Sequence, residues 1–251
     1  MINEKTENLW RGIKHDKLEK IIAGPCAVES YSQLERVAKN LKKNNIGILR
    51  AGAYKPRTSP NTFQGLGKEG IRIIQDVCKE YNLFSITEIM DIRDLDYIVD
   101  CIDIIQVGSR NMFNFSLLKE LGNINKPIFL KRGLMATIGE FIYAAEYVWK
   151  GGNNKIIMCE RGIRTFEVET RNTLDLSCVA LLKQQTDFPV AVDLSHSLGR
   201  KDIMNIMAKA SIASGADMLM LEVHPSPKEA LSDANQQLNF KEFEELLLHV
   251  K

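Results

Sequence analysis

Gly47-Ile48-Leu49-Arg50-Ala51-Gly52-Ala53-Tyr54-Lys55-Pro56-Arg57-Thr58-Ser59-Pro60 begins as an apolar strand and ends as a polar loop. Three cations, Arg50, Lys55 and Arg57, fall within a few residues of the strand's end. Pro56 fixes its own φ and biases Lys55 toward an extended conformation, and Pro60 does the same to Ser59. Thr58 and Ser59 add hydroxyls between the two prolines. So stiff and cationic a loop suits a small polyanion, because guanidinium groups bind phosphate in bidentate fashion. A solvated basic turn is the plain alternative, but such a turn gains little from two prolines and paired hydroxyls.

The same pattern, an apolar run with polar residues at its carboxyl end, recurs along the chain. The runs cover residues 20–26, 47–52, 83–88, 104–108, 127–131, 155–160, 189–194 and 217–223. Their near-continuous hydrophobicity is that of parallel strands buried on both faces. Between them lie amphipathic helical patterns, at 32–44, 67–82, 201–215 and 239–250 among others, with apolar side chains three and four apart. Asn82 and Gly215 stand where such helices would exit through a left-handed residue. Eight strand–helix alternations predict an α/β fold, a (β/α)8 TIM barrel in a single domain. A doubly wound open sheet is the rival, but the phosphate-binding glycine pattern after the first strand is absent. The division expected is an N-terminal arm over residues 1–18, anchored by Leu9, Trp10 and Ile13, and a barrel over 19–251.

Composition adds exclusions. The chain is 45% hydrophobic and 26% charged with a net charge of +1, which gives no sign of a nucleic-acid partner or a membrane surface. No apolar run approaches membrane-spanning length and the N-terminus lacks a secretory core, so a cytoplasmic protein is expected. Cys26, Cys78, Cys101, Cys159 and Cys178 are dispersed and odd in number, forming neither a disulfide framework nor a paired zinc motif. Most should be small buried hydrophobes. Cys26 differs, lying in Gly24-Pro25-Cys26-Ala27-Val28-Glu29-Ser30 directly after a strand.

In a barrel the carboxyl ends of the strands converge on one face. Cys26 follows the first strand, His196 the seventh, Glu222 closes the eighth, and Asp233 lies in the loop beyond. A thiolate, an imidazole and two carboxylates suit a borderline divalent metal such as Mn2+, Fe2+, Co2+ or Zn2+. No spacing rule joins residues so far apart, and a lone Cys or His is more often core. A second group is basic: Arg110, Lys131, Arg132 and Arg161 end strands four to six and join Arg50 and Lys55 in a ring. For any one of them, an ion pair with Glu88 or Glu160 is the structural alternative.

The stretch Arg50-Ala-Gly-Ala-Tyr-Lys-Pro-Arg-Thr-Ser-Pro60 closely resembles the motif of 3-deoxy-D-arabino-heptulosonate 7-phosphate (DAHP) synthases, in the branch related to 3-deoxy-D-manno-octulosonate 8-phosphate (KDO8P) synthases (type I beta). The resemblance extends from about Gly24 to about Leu238. It implies condensation of phosphoenolpyruvate (PEP) with erythrose 4-phosphate (E4P), the first step of the shikimate pathway. It also implies a divalent metal on Cys26, His196, Glu222 and Asp233, with His224 outside the ligand set. PEP would be held by Arg50, Lys55, Arg110, Lys131 and Arg161, and E4P by Lys55, Pro56, Arg57, Thr58 and Ser59. Lys55, Lys131 and His196 take catalytic roles, with Lys131, Glu88 and Glu160 as candidates for activating the attacking water. A homo-oligomer, dimer or tetramer, is expected. Since the barrel leaves little sequence outside it, insensitivity to feedback by aromatic amino acids is expected too.

Three rivals stand beside this reading. A KDO8P synthase would use arabinose 5-phosphate, but resembles Lys-Ala-Asn-Arg-Ser-Ser where this chain has Lys55-Pro-Arg-Thr-Ser59. A Schiff-base aldolase would use Lys131 as nucleophile. A phosphosugar-binding barrel would have no use for four metal ligands.

Overall fold

The structure, a computed structural model, describes residues 4–15, 21–56 and 59–250. Helix α1 (Glu4–His15) leads into β1 (Ile21–Gly24), α2 (Tyr31–Lys43), β2 (Ile48–Arg50) and α3 (Lys68–Glu80). Next come β3 (Phe84–Ile89), α4 (Leu95–Cys101), β4 (Ile104–Val107), α5 (Phe115–Gly122), β5 (Ile128–Lys131) and α6 (Ile138–Lys150). The chain continues through β6 (Ile156–Glu160), α7 (Leu176–Gln185), β7 (Val190–Asp193), α8 (Leu194–Leu198) and α9 (Met204–Ala213). It ends with β8 (Met218–Glu222) and α10 (Phe240–Val250). The eight strands form a closed parallel barrel in sequence order, and β8 returns to β1 with Glu222 opposite Gly24. Seven strands fall inside the apolar runs and β3 extends one residue beyond its run, to Ile89, as expected for a TIM barrel. The five-residue α8 had no signal of its own, being too short to show helical periodicity.

Helix boundaries follow local chemistry. Ser30 caps α2 by accepting from Gln33 N, and Thr137 with Glu140 closes a capping box on α6. Asn82 and Gly215 adopt positive φ, 47° and 102°, as expected at helix exits. At Gly24 the requirement is contact: a Cβ there would lie 2.0 Å from the Arg50 carbonyl oxygen. Only glycine lets β1 deliver Cys26 that close to β2.

Alternation along each strand divides the molecule into two cores. Ala23, Leu49, Ile105 and Val107 belong to a cluster between sheet and helices. Ile22, Ile48, Ile86, Ile104 and Phe129 point the other way, into the barrel, where they cluster with Leu9, Trp10 and Ile13 of α1. The helix sits at the amino ends of the strands, where Lys155, just before β6, pairs with Glu7. Residues two further along are the inward layer at the opposite end: Arg50 above Ile48, Glu88 above Ile86, Gln106 above Ile104, Lys131 above Phe129. Below, the barrel is apolar and sealed. Above, it is charged.

Leu9→Ala tests the seal. Leu9 is 2% exposed, and truncating a buried leucine costs about 2–5 kcal/mol. The expected result is a lower urea midpoint with an unchanged slope; an unchanged midpoint would mean that α1 adds nothing to barrel stability.

Candidate active site

Four elements deliver one donor set. Cys26, just past β1, is fully buried, and Glu222 ends β8 with no exposure. Asp233 comes from the loop after β8 and holds a left-handed backbone, φ 49°, rare for a residue with a side chain. The ligating atoms of these three lie within 4.8 Å of one another. His196, in the first turn of α8, brings Nε2 to 3.4 Å from Glu222 Oε1 and 4.0 Å from Asp233 Oδ2. It borders the tight group and is not part of it.

Asp193 explains the histidine's orientation. Its Oδ1 caps α8 by accepting from His196 N, and its Oδ2 lies 2.8 Å from His196 Nδ1. With Nδ1 engaged, Nε2 is turned toward the carboxylates, an arrangement typical of metal-bound imidazole. The residues fit a borderline divalent cation: sulfur, nitrogen and two oxygens, with a carboxylate behind the imidazole. Lys55 supplies positive charge here, its Nζ 2.9 Å from Cys26 Sγ and 3.1 Å from Cys26 O. Burial, then the Glu222 carboxylate, pushes the Cys26 thiol up to about 12. A cation of higher charge is what would favour its thiolate.

The rest of the cleft is cationic. Lys55, Arg110, Lys131, Arg161, Arg164 and Arg171 line it, with Glu88, His196 and Asp233. Lys131 Nζ is 2.5 Å from Asp193 Oδ2, which therefore bridges lysine and histidine. Burial opposes ionisation of Asp193, but His196 and Lys131 hold its carboxyl well below the usual range. Burial lowers the His196 imidazole below its ordinary value, outweighing the Asp193 and Glu222 carboxylates, which raise it. Arg161 is 6% exposed, and its recorded hydrogen bond is a long one to Gly162 O. No carboxylate lies within salt-bridge distance of Arg161, Arg110 or Arg164 among the described residues. The buried Arg161, with the exposed Arg110 and Arg164 lining the same cleft, suits an anionic substrate.

Other residues named from the sequence have other surroundings. Arg50 lies beneath the cleft, its Nη1 on Glu222 Oε1 at 2.7 Å and on Pro25 O. Arg132 is the structural ion pair: Nη1 bonds Glu160 Oε2 and Asp175 Oδ2, both at 2.9 Å. Glu160, with Oε1 on Gly162 N, is therefore turned away and is withdrawn as a water activator. The reason is register: Lys131 and Arg161 share the inward face, and Arg132 and Glu160 the outward one. Pro56 lines the cleft, and Ser59 is exposed, its hydroxyl accepting from Asn61 N. Arg57 and Thr58 lie outside the described residues. His224 accepts from Ser226 N at Nδ1 and turns Nε2 toward Glu29 Oε2, 3.4 Å away. Asp193, Arg164, Arg171 and Gln236 were not picked out from the sequence. Asp193 had a signal, an acid three residues before His196 at a strand end.

The DAHP synthetase I family profile matches residues 3–251. The chain belongs to the DAHP synthetase I family. It is 48% identical over 231 residues to phospho-2-dehydro-3-deoxyheptonate aldolase of Thermotoga maritima, covering 92% of this chain and 68% of that one. A crystal structure of that DAHP synthase superposes with a TM-score of 0.89 at 48% identity, over 92% of this chain and 67% of that chain. A truncated form of the Thermotoga maritima enzyme gives 0.86 at 46% identity, over 92% of this chain and 84% of that one. More distant is 2-dehydro-3-deoxyphosphooctonate aldolase of Acidithiobacillus ferrooxidans, 27% identical over 245 residues, 90% of this chain and 86% of that one.

In this family member, Asp193→Asn should leave Lys131 buried without its counter-charge, at a cost of about 3–5 kcal/mol. Asp193's folded pKa is lowered, so its stabilisation is complete above roughly pH 4, the unfolded value, and is lost only as pH falls through the lower folded one. Chemical denaturation should give the same deficit at pH 7 and pH 8. A deficit that disappears between them would contradict an ionised Asp193.

Proposed function

We propose that this chain is a 3-deoxy-7-phosphoheptulonate (DAHP) synthase, condensing PEP and E4P with water to give DAHP and inorganic phosphate. One juxtaposition carries the reading: a cleft lined by the buried Arg161, which has no carboxylate within salt-bridge distance among the described residues, is also lined by His196 and Asp233, which adjoin the buried Cys26 and Glu222. Similarity supports it too, since the DAHP synthase relative is 48% identical and the octulosonate relative 27%.

The reaction joins two anions, so the site must offset their repulsion. Arg110, Lys131 and Arg161 would hold the phosphate and carboxylate of PEP, and Lys55 would face both substrates. Lys55, Pro56, Arg57, Thr58 and Ser59 would receive E4P. Holding the pair in register converts a bimolecular encounter into an intramolecular one. C3 of PEP bonds to the aldehyde carbon of E4P and water adds at C2. The resulting hemiketal phosphate then loses phosphate. A divalent cation on Cys26, His196, Glu222 and Asp233 would serve as a Lewis acid toward the aldehyde oxygen. Lys131 and Glu88, which line the cleft, would move the proton of the attacking water. Asp193 keeps His196 in one tautomer.

Two further parts of the reading concern assembly and location. Exposed Phe113, Phe115, Tyr143 and Tyr147 around α5 and α6, with Phe115 stacked on Tyr147, suit a homo-oligomer. Among the described residues no helix is long and apolar enough to cross a membrane, which accords with work in the cytoplasm.

Phosphate release from PEP tests both sugar and metal. E4P should support turnover and arabinose 5-phosphate should not; chelation should stop the reaction and Mn2+ should restore it. Preference for the pentose phosphate would mean a KDO8P synthase, and full activity after chelation would remove the metal from the mechanism.

Two substitutions separate the substrates. Arg161→Met should raise the KM for PEP about ten- to a hundred-fold, the value of a charge-assisted bond of roughly 1.5–3 kcal/mol. Arg57→Ala should weaken use of E4P by a similar factor and leave PEP binding nearly intact. Equal losses toward both substrates in either variant would show the assignment to be wrong.

A further inference from the structure

Ser232-Asp233-Ala234-Asn235-Gln236-Gln237 contains three consecutive amides, of which Asn235 is exposed and Gln236 and Gln237 are almost wholly buried. Their stretch leaves a turn beside the end of β8: Gln236 N donates to Asp233 O, Leu238 N donates to Glu222 O, and His224 N donates to Leu238 O. The two buried amides reach different ligands. Gln236 Nε2 donates to Glu222 Oε2 at 2.5 Å, while its Oε1 accepts from Arg171 Nη1 at 2.6 Å. Gln237 Oε1 accepts from Cys26 N at 2.9 Å, while its Nε2 donates to Ser232 O at 2.8 Å, next to the strained Asp233.

Each contact restrains a group that otherwise has freedom to move. Arg50 holds one oxygen of Glu222 and Gln236 the other, so the carboxylate cannot rotate without breaking a bond to a buried partner. Cys26 follows a proline, and Gln237 holds its backbone N–H. Left-handed Asp233 is tied on its N-terminal side by Gln237 to Ser232 O and on its C-terminal side by Gln236 N to its own carbonyl. A non-glycine residue persists at positive φ only where its surroundings over-determine it. Being neutral, the amides orient the donors without competing with the cation for them as a lysine would.

We infer that Gln236 and Gln237 are positioning residues: one clamp, contributed by the same loop as Asp233, that sets Glu222 and Cys26 in the geometry a divalent cation requires. The inference rests on the metal site proposed above. It assigns no chemistry to either amide; they act through the ligands they hold.

The test is binding of Co2+, read by its visible bands, by the near-ultraviolet thiolate-to-cobalt charge transfer and by competition with a chelator. Gln236→Met keeps the volume and removes the amide. It should weaken Co2+ binding about ten- to a hundred-fold, as loss of an outer partner of a metal ligand does, with unchanged melting of the metal-free protein. At saturating metal, kcat should fall while the KM for PEP stays. Gln236→Glu, which keeps an acceptor for Arg171 but faces Glu222 with a second carboxylate, should not rescue. Gln237→Met should alter the charge-transfer band, because its contact is with Cys26. If Gln236→Met does not fold, Gln237→Met and its charge-transfer band still test the clamp from the Cys26 side. Affinities within twofold of the parent with unchanged spectra would overturn the clamp while leaving the metal site standing. A parent protein without a cobalt–thiolate band would overturn the metal site and the clamp together.

Discussion

A closed parallel barrel admits only every second residue of each strand to its interior, and the site depends on that constraint. Apolar residues fill the interior from the amino end, with α1 sealing it through Leu9, Trp10 and Ile13. Continuing two residues along each strand brings charged groups to the carboxyl end: Arg50, Glu88, Lys131, Arg161, Asp193 and Glu222. Had β5 or β6 slipped by one residue, Arg132 and Glu160 would face the cleft and Lys131 and Arg161 would face the helices. Strand register thus decides which charges act on a substrate.

So many buried charges persist because they are arranged as partners. Arg50 offsets Glu222, Lys131 offsets Asp193, and Arg132 offsets Glu160 and Asp175. A buried charge without compensation is costly, which gives the exceptions their meaning. Among the described residues Arg161 has no carboxylate within salt-bridge distance, which suits an anionic substrate. Cys26, Glu222 and Asp233 gather three donors in one place, which suits a metal cation although Arg50 and Arg171 each pair with a carboxylate there. Asp233 and His196 join that group to the cleft that Arg161 lines.

Asp193 ties the two regions together. One carboxylate caps α8, orients His196 toward the donor set and neutralises Lys131 beside the cationic wall. It touches neither the proposed metal nor a substrate, yet both halves of the cleft are aligned through it. The charged face consequently behaves as one network, in which a change at a residue remote from substrate alters several groups at once.

The sequence by itself determined the barrel, because eight buried parallel strands must each appear as an apolar run and each such run is local. It also placed Cys26, His196, Glu222, Lys131 and Arg161 at strand ends, and the Lys55-Pro-Arg-Thr-Ser59 loop pointed to the DAHP synthase family. What only the tertiary structure decided is which of those charges meet. Arg50 and Arg132 look like their cationic neighbours in sequence, but pairing with Glu222 and Glu160 removes them from the cleft wall. Arg171, Gln236 and Gln237 had no motif to mark them, since their roles depend on partners on other strands and loops; Asp193 was marked only by its place three residues before His196. Composition and periodicity fix which side chains a strand carries, but contacts between distant segments exist only once the barrel has closed and set its register.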